Sequence, residues 1–511
     1  MQNFPWLTAL VVTPALGALL VWLVRPLHRF ARPVAVVWSL AVLAGTVGAI
    51  VAYCGADGDV RLTEQVAWIP QFGISYALGV TGTGLAMILL ATLLVPLVLL
   101  AAWKEQPTMG RSARYAALVL VCESFMVAAF AARDIVLFYV VFEAMLIPVY
   151  FLIGSFGGER RKAAALKFLL YSLAGGLVML AGVIALWAAG PRGPDAFLID
   201  QAALVGLSPT AERLIFLSFF VAFAIKAPMF PVHTWLPDAA QAARPGTSVL
   251  LVGVLDKVGT FGMITLCLPL FPNAAQWAAP VITVLAVVSI LWGAVLALAQ
   301  TDILRMIAYT SVSHFGFIVL GIFAFTQTAE AGAAFYMINH GLATGALFLL
   351  AGMLIQRRST HRIDQMGPGL QRTTPLLAGT FLVVGLAAIA LPGMSTFVSE
   401  FMVIVGTFQA LPAAAIVATV GVILAALYIL IAYQRIFTGP PREDLADVPD
   451  LSARELWAVG PLIAALLVLG FYPAPAVDVT SDDAAVTVAA VTSPSGDPAA
   501  VAPSPSEGSA P

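Results

Sequence analysis

The sequence predicts an all-α polytopic membrane protein with about 14 transmembrane helices. Of its 511 residues, 61% are hydrophobic and only 10% are charged, whereas about 25% of residues are charged in a typical soluble domain. A soluble chain of this length would need a much larger polar surface. The net charge of −2 gives no indication of nucleic-acid binding. The cysteines lie far apart without a CxxC motif, so neither a metal cluster nor a disulfide framework is indicated.

Each predicted span is a mostly apolar stretch long enough to cross about 30 Å of hydrocarbon. The stretches lie near residues 5–24, 33–53, 81–103, 115–132, 135–154, 164–189, 212–230, 246–268, 277–299, 303–323, 331–355, 376–408, 413–437 and 455–472. The seventh contains Pro228 and Pro231, and the twelfth contains the sequence Leu391-Pro392-Gly393. Because proline removes a backbone donor, both spans are predicted to be broken helices.

The basic residues alternate between the loops. Most of the 25 lie in one set of loops, which the positive-inside rule assigns to the cytoplasm. An even number of spans then places both termini outside a bacterial inner (plasma) membrane. Lys167, Lys226 and Lys257 are left over, because all of them lie inside predicted spans.

An internal repeat relates residues 164–182 to residues 333–351, where alanine, leucine and glycine recur at matching positions. A broken span follows each segment, so spans 4–8 and 9–13 are predicted to form two inverted five-helix repeats, as in ion transporters. The predicted organisation is helices 1–3 over residues 1–110, the first repeat over 111–270, the second repeat over 271–440, helix 14 over 441–480 and a disordered tail over 481–511.

Ionisable side chains inside a bilayer are costly and usually functional. The candidates for proton transfer, which helical rise places near mid-membrane, are Glu143, Lys226, Lys257, His314, His340 and Glu400. The candidates for supporting roles are Glu123, Lys167, His233, Asp238 and Asp256. Separation of a Glu143–Lys226 pair would free the lysine to release a proton, which makes the pair a candidate charge switch. The alternative is that the charged groups form structural ion pairs and the histidines are satisfied core side chains.

Several segments resemble the proton-conducting antiporter-like subunits of respiratory complex I and the related Mrp cation/proton antiporters. They span residues 133–154, 164–176, 223–239, 253–263, 300–317 and 338–352, and KAPMFPVHTWLPDA (226–239) is the most specific. The segment LPGMSTFVSEF (391–401) places Glu400 where L-type and N-type subunits and Mrp antiporters usually have lysine. This feature is typical of the M-type branch of the family.

The resemblance implies roles for the proton-transfer candidates. Glu143 and Lys226 correspond to an ion pair, and Lys257 corresponds to a central relay lysine. His314 and His340 correspond to two linking histidines, and Glu400 corresponds to a terminal carboxyl group. The chain also departs from the family pattern. Thr81 replaces an aspartate at the third span, and Ala240 and Ala242 stand where a histidine and a glutamate are common.

The predicted function is that of a proton-translocating membrane-arm subunit of an NADH–quinone oxidoreductase. No cofactor or metal motif is found in this sequence, so FMN, Fe–S clusters and quinone are expected in partner subunits. The expected partners are other membrane-arm subunits of L and N type, membrane lipid and internal water that carries protons, without nucleic acid. The alternatives are an Mrp-type sodium/proton antiporter subunit and a structural scaffold subunit. Glu400 and the lack of an extra carboxylate cluster argue against the antiporter.

Overall fold

The computed structural model of the chain describes residues 4–105, 108–190 and 192–493. This part of the chain is almost entirely helical, and 12 of its helices are long and apolar enough to cross a membrane. The protein is therefore a multi-pass membrane protein, as the sequence predicts.

The chain begins with two helices and a β-hairpin. The bounds are α1 (Trp6–Leu23), α2 (Ala31–Cys54), β1 (Arg61–Ile69), β2 (Ile74–Val80) and α3 (Gly82–Ala101). The antiparallel hairpin, in which Val66 pairs with Tyr76, is a small addition to the predicted helical fold. Short strands rich in β-branched and aromatic residues are easily missed beside long apolar helices, because their signal is much weaker.

The second group of helices runs from residue 109 to residue 270. The bounds are α4 (Met109–Ala131), α5 (Ile135–Ala144), α6 (Leu146–Phe156), α7 (Arg161–Ala189), α8 (Ile199–Ala202), α9 (Pro209–Lys226), α10 (Trp235–Ala242), α11 (Pro245–Leu250), α12 (Lys257–Gly262) and α13 (Leu268–Leu270). Two π-helical segments, Leu251–Leu255 and Met263–Cys267, flank α12 and complete one span, Pro245–Leu270.

The third group contains the remaining helices. The bounds are α14 (Pro272–Leu298), α15 (Ile303–Ile322), α16 (Gln327–Arg358), α17 (Ile363–Met366), α18 (Leu370–Thr373), α19 (Pro375–Ala388), α20 (Ser395–Ala410), α21 (Pro412–Phe437), α22 (Ala453–Phe471) and α23 (Ala474–Thr492). Short polar side chains start several of them. Asp134, for example, accepts bonds from the first amides of α5, and Asp302 caps α15 in the same way.

Both predicted helix breaks are present. α9 ends at Lys226 and α10 begins at Trp235, whereas α19 ends at Ala388 and α20 begins at Ser395. In each break, a side chain from beyond it satisfies a carbonyl that the helix no longer bonds. The indole of Trp235 donates to the Ile225 carbonyl at 2.9 Å, and the Thr396 hydroxyl donates to the Ala387 carbonyl.

Because of these breaks, only 12 helices in the described part of the chain are long and apolar enough to count as spans. The predicted total of about 14 spans therefore stays a prediction. α19 and α20 have only 14 and 16 residues, so neither is long enough by itself to be counted as a span. α9 has 18 residues but carries Glu212, Arg213 and Lys226.

The disordered tail predicted from residue 481 is wrong as far as Thr492, because α23 continues to that residue. α23 packs on α16 and on the start of α3. Its many alanines and valines resemble low-complexity sequence, because the helix has no strong amphipathic period of its own. Residues 494–511 of the predicted tail lie outside the described residues.

Candidate functional site

A buried row of ionisable side chains starts at Lys257, at the first turn of α12. The Nζ atom of Lys257 donates to the Val252 carbonyl and lies 2.7 Å from Nδ1 of His340 on α16. The ring of His314, on α15, is next, with its centroid 5.2 Å from that of His340 and the two planes at 87°. All of these side chains are at most 4% exposed. Lys257, His340 and His314 therefore form a contiguous buried group.

Two tyrosines that the sequence did not predict extend this group to Glu400. Nε2 of His314 lies 3.3 Å from the Tyr428 hydroxyl of α21, and its ring packs against Tyr336. The Tyr336 hydroxyl donates to Oε2 of Glu400 at 2.7 Å. Tyr336 precedes His340 by four residues and shares its helix face, which was a usable signal. Tyr428 carries no such local signal, because only tertiary packing brings α21 to His314.

The backbone around Lys257 is unusual. The π-helical segments on both sides of α12 shift the helix register, and such segments often occur at functional sites. The bond from Lys257 to Val252 reaches a carbonyl five residues earlier, within the first π-helical segment. The local backbone therefore helps to fix the position of the Lys257 ammonium group.

Lys226 and Glu143 lie near each other without direct contact. Nζ of Lys226 is 5.4 Å and 5.6 Å from the ring centroids of Phe142 and Phe168, and the side chain is 1% exposed. Among the described residues, no ion pair within 4.0 Å joins Lys226 to Glu143, although the two charges interact electrostatically. A Cβ atom at Gly176 of α7 would overlap the Glu143 carboxylate, so a glycine makes room for that group. The implied ion pair is open in this structure.

Asp256 is a second buried partner for the lysines. It is fully buried, and neither of its carboxyl oxygens has a hydrogen bond within the part of the chain described. Its carboxyl group lies within electrostatic range of both Lys226 and Lys257. The Asp256 carboxyl group is therefore a candidate link between Lys226 and the row that begins at Lys257.

Lys167 and Asp238 belong to a separate ion-pair network. Nζ of Lys167 lies 2.6 Å from Oδ2 of Asp238, and Nη1 of Arg305 lies 2.5 Å from Oδ1 of the same carboxylate. Burial opposes ionisation of Asp238, but the hydrogen bonds from Lys167 and Arg305 outweigh it and lower the pKa of this carboxyl. The network joins α7, α10 and α15 at the end of the bundle that carries Arg160, which we call the basic face.

His233 and Glu123 are not in contact with the row. The His233 ring stacks on Phe230 in the break between α9 and α10, near Tyr309. Glu123 is fully buried in α4, and neither carboxyl oxygen has a hydrogen bond to another described residue.

A family model described as NADH:quinone oxidoreductase/Mrp antiporter, TM matches residues 132–426, more than half of the chain. The chain belongs to this family. The region that matches the NADH:quinone oxidoreductase/Mrp antiporter family contains the whole row from Lys257 to Glu400, together with Glu143 and Lys226, whereas Glu123 precedes it.

Individual family members agree with this assignment. The chain is 43% identical over 516 residues to NADH-quinone oxidoreductase subunit M of Mycobacterium tuberculosis, which covers 94% of this chain and 93% of the relative. A chain of respiratory complex I from Thermus thermophilus with bound NADH is 32% identical, with a TM-score of 0.87, and covers 95% of this chain and 100% of that chain. A chain of the Mrp complex from Dietzia sp. DQ12-45-1b has a TM-score of 0.83 at 23% identity, over 96% of this chain and 100% of that chain, which shows a shared fold alone. The resemblance inferred from the sequence, including its M-type branch, is confirmed.

Proposed function

We propose that the chain is a proton-translocating membrane-arm subunit of an NADH–quinone oxidoreductase. Its role is to move protons through the buried Glu, Lys and His residues while quinone is reduced in other subunits. The observation that carries this proposal is the connected group from Lys257 through His340, His314 and Tyr336 to Glu400. A purely structural core has little reason to bury so many ionisable groups in one row, because each is costly in a membrane.

In the proposed path, protons arrive from the basic face near Lys226 or Lys257. Asp256 carries a proton or a compensating charge between these two lysines, since its carboxyl group is fully buried near both and has no hydrogen bond among the described residues. The proton then passes through His340 and His314 to Glu400, before its release on the opposite side. Side chains and internal water relay the proton, so this chain needs no cofactor for that step.

The open Glu143–Lys226 pair is the proposed switch. When Glu143 approaches Lys226, the carboxylate favours the protonated lysine; when it moves away, burial favours release of the proton. Phe142 and Phe168 hold the ammonium group in the open position. Quinone chemistry elsewhere in the complex would set the position of Glu143 through neighbouring subunits.

The switch is tested with Glu143→Gln in the assembled complex, because this substitution removes the charge and keeps the shape. Proton pumping per NADH oxidised, measured in inside-out membrane vesicles, is expected to fall to the level that the other membrane-arm subunits sustain. Glu212→Gln is a matched control, since the Glu212 carboxylate is buried but bonded to Ala274 and Asn273. A structural scaffold predicts that pumping stays normal in Glu143→Gln and also in Lys226→Ala, Lys257→Ala and Glu400→Ala.

A sodium/proton antiporter subunit is the second candidate, and the shared fold with a chain of an Mrp complex favours it. Glu400, in place of the usual lysine, argues against it. The two are separated by affinity purification of the chain from its native membrane. Co-purification of NADH-oxidising, quinone-reducing activity supports the first function, and isolation of a multi-subunit antiporter without that activity supports the second.

The setting of the subunit follows from the same proposal. We place it in the bacterial plasma membrane with both termini outside, beside L-type and N-type membrane-arm neighbours, with FMN, Fe–S clusters and quinone in partner subunits. The two broken helices, and the capping aspartates Asp134 and Asp302 that each form an isolated β-bridge, support the inverted repeats over spans 4–8 and 9–13.

A further inference from the structure

A buried carboxyl group lies outside the row just described. Glu330, in the first turn of α16, is 1% exposed, and neither carboxyl oxygen has a hydrogen bond of good geometry to any described residue. Such a group is expensive to bury without partners. Capping does not explain it, because Thr326 already accepts the Ala329 amide at the start of α16. Glu330 therefore needs another reason for its place.

We call the end of the bundle opposite the basic face the tail face. At this end, the helix α23 covers Glu330. The Thr487 hydroxyl and the Asp483 carboxylate, both on α23, interact with the Glu330 carboxyl group. α23 is held in place by Asp483, which accepts bonds from the Gly82 and Thr83 amides at 3.3 Å and 2.6 Å. The amide of Gln327, in the same turn as Glu330, donates to the Ser481 carbonyl at 3.0 Å.

The position of Glu330 along the bundle follows from its neighbours. Tyr336, which bonds Glu400, is six residues further along α16, so Glu330 lies about 9 Å closer to the tail face. Packing agrees with this estimate, because Gly332 lies against Met402 and Ala329 lies against Gly406, both beyond Glu400 on α20. Glu330 therefore lies between the end of the row and the tail face.

Exposure increases outward from this carboxyl group. Glu330 is buried, Thr487 and Asp483 are partly exposed, and the adjacent Asp482 is exposed. Thr487, Asp483 and Asp482 thus form a series of polar groups, within about one turn of α23, between the buried Glu330 carboxyl group and the surface. Among the described residues, Glu330 takes part in no cap and no ion pair, so no bond of this kind commits its carboxyl group to one protonation state.

We propose that Glu330 is a proton-release group: it accepts the proton that leaves Glu400, through water, and passes it to Asp483 at the tail face. One proton leaves the Glu400 carboxyl, binds the Glu330 carboxylate and is then transferred to the Asp483 carboxylate, so no other reactant is needed. This inference rests on the proposed function, because it extends the same path from Glu400 to the outside.

The test compares Glu330→Gln and Glu330→Asp with Glu400→Gln and the control Glu212→Gln, all in the assembled complex. Pumping per NADH oxidised is measured in inside-out vesicles, and assembly is measured by NADH oxidation with an artificial acceptor. If Glu330 carries a proton, pumping in Glu330→Gln falls to the level of Glu400→Gln and is largely retained in Glu330→Asp, because aspartate keeps a proton-binding carboxyl group. A packing role reverses this order, because glutamine keeps the shape of the side chain and aspartate leaves a gap.

The outcomes separate the two hypotheses. Impaired pumping in Glu400→Gln with normal pumping in Glu330→Gln would overturn the release group and leave the proposed function standing. Normal pumping in both would overturn the proposed function. If Glu330→Asp is impaired as much as Glu330→Gln, or more, the carboxyl group is structural and the release role is wrong.

Discussion

At the scale of single residues, the site depends on contacts that ordinary side chains make between the ionisable ones. Tyr336 is the clearest case, because its hydroxyl bonds Glu400 while its ring packs against His314. Tyr428 contacts His314 from the other side. A phenol hydroxyl both donates and accepts, so it can pass a proton or hold the carboxylate in position.

Substitution of Tyr336 by phenylalanine tests this contribution, because it removes the hydroxyl and keeps the ring. A hydrogen bond to a charged group contributes about 1.5–3 kcal/mol, so we expect proton transfer through this subunit to slow about ten-fold in Tyr336→Phe. The measured result is lower pumping per NADH oxidised in inside-out vesicles. Tyr428→Phe should have a smaller effect, since its contact is 3.3 Å long. Tyr433→Phe on the same helix is the control, because Tyr433 packs on Phe437 away from the row. Equal pumping in all three variants would show that the hydroxyls carry no protons.

At the scale of helices and strands, the sequence predicted the features with strong chemical signals. Pro228 and the Leu391-Pro392-Gly393 sequence located both broken helices, because proline cannot continue the hydrogen-bond ladder. The π-helical segments beside Lys257 were not predictable, since they contain no proline and arise from packing on neighbouring helices. The link from Lys167 to Asp238 was also missed, because it joins side chains 71 residues apart.

That link makes a prediction about α10. Asp238 bonds Lys167 on α7 and Arg305 on α15, so Asp238→Asn should lower the free energy of unfolding by about 1 kcal/mol, a value kept small because these side chains are about one third exposed. Thermal unfolding of the purified complex, followed for this subunit, measures the change. Asp364→Asn, which alters an exposed pair with Arg362, should leave the unfolding temperature unchanged.

The pH dependence follows from the lowered pKa of Asp238. A carboxyl group with a depressed pKa contributes its full stability above the ordinary value of 3.8, and loses it as the pH falls through the depressed value. The difference between the parent protein and Asp238→Asn should therefore stay constant from pH 8 to pH 5 and shrink only below about pH 4. A difference that already shrinks near pH 6 would contradict this assignment.

At the scale of the whole molecule, composition and the distribution of charge predicted a multi-pass membrane protein of the correct family. What the sequence could not supply was contact between distant parts of the chain. Thr81 stands where the family has an aspartate, yet Asp483 of α23 brings a carboxylate to the same helix start, 400 residues away from Thr83. No local sequence pattern relates the start of α3 to α23, so the sequence did not predict that α23 covers the tail face.

Orientation is testable with a cysteine that the chain already has. Cys54 is exposed at the end of α2, whereas Cys122 and Cys267 are buried. With both termini outside, Cys54 faces the outer side of the membrane. A membrane-impermeant thiol reagent should therefore label Cys54 in intact cells whose plasma membrane the reagent can reach, and Cys54→Ser should abolish the label. A cysteine introduced by Glu159→Cys on the basic face should react only in inside-out vesicles. Labelling with the opposite sidedness would invert the proposed topology.

The perpendicular histidines have a consequence for timing. His340 uses Nδ1 toward Lys257 and His314 uses Nε2 toward Tyr428, which leaves Nε2 of His340 and Nδ1 of His314 without partners among the described residues. The two rings meet at 87°, with centroids 5.2 Å apart, and Phe315 packs against His340. In the proposed path, a proton therefore crosses from one ring to the other only after a ring reorients or a water molecule bridges the two free nitrogens. The histidine pair is thus the step of the proposed path at which a bond must form that the structure does not already contain.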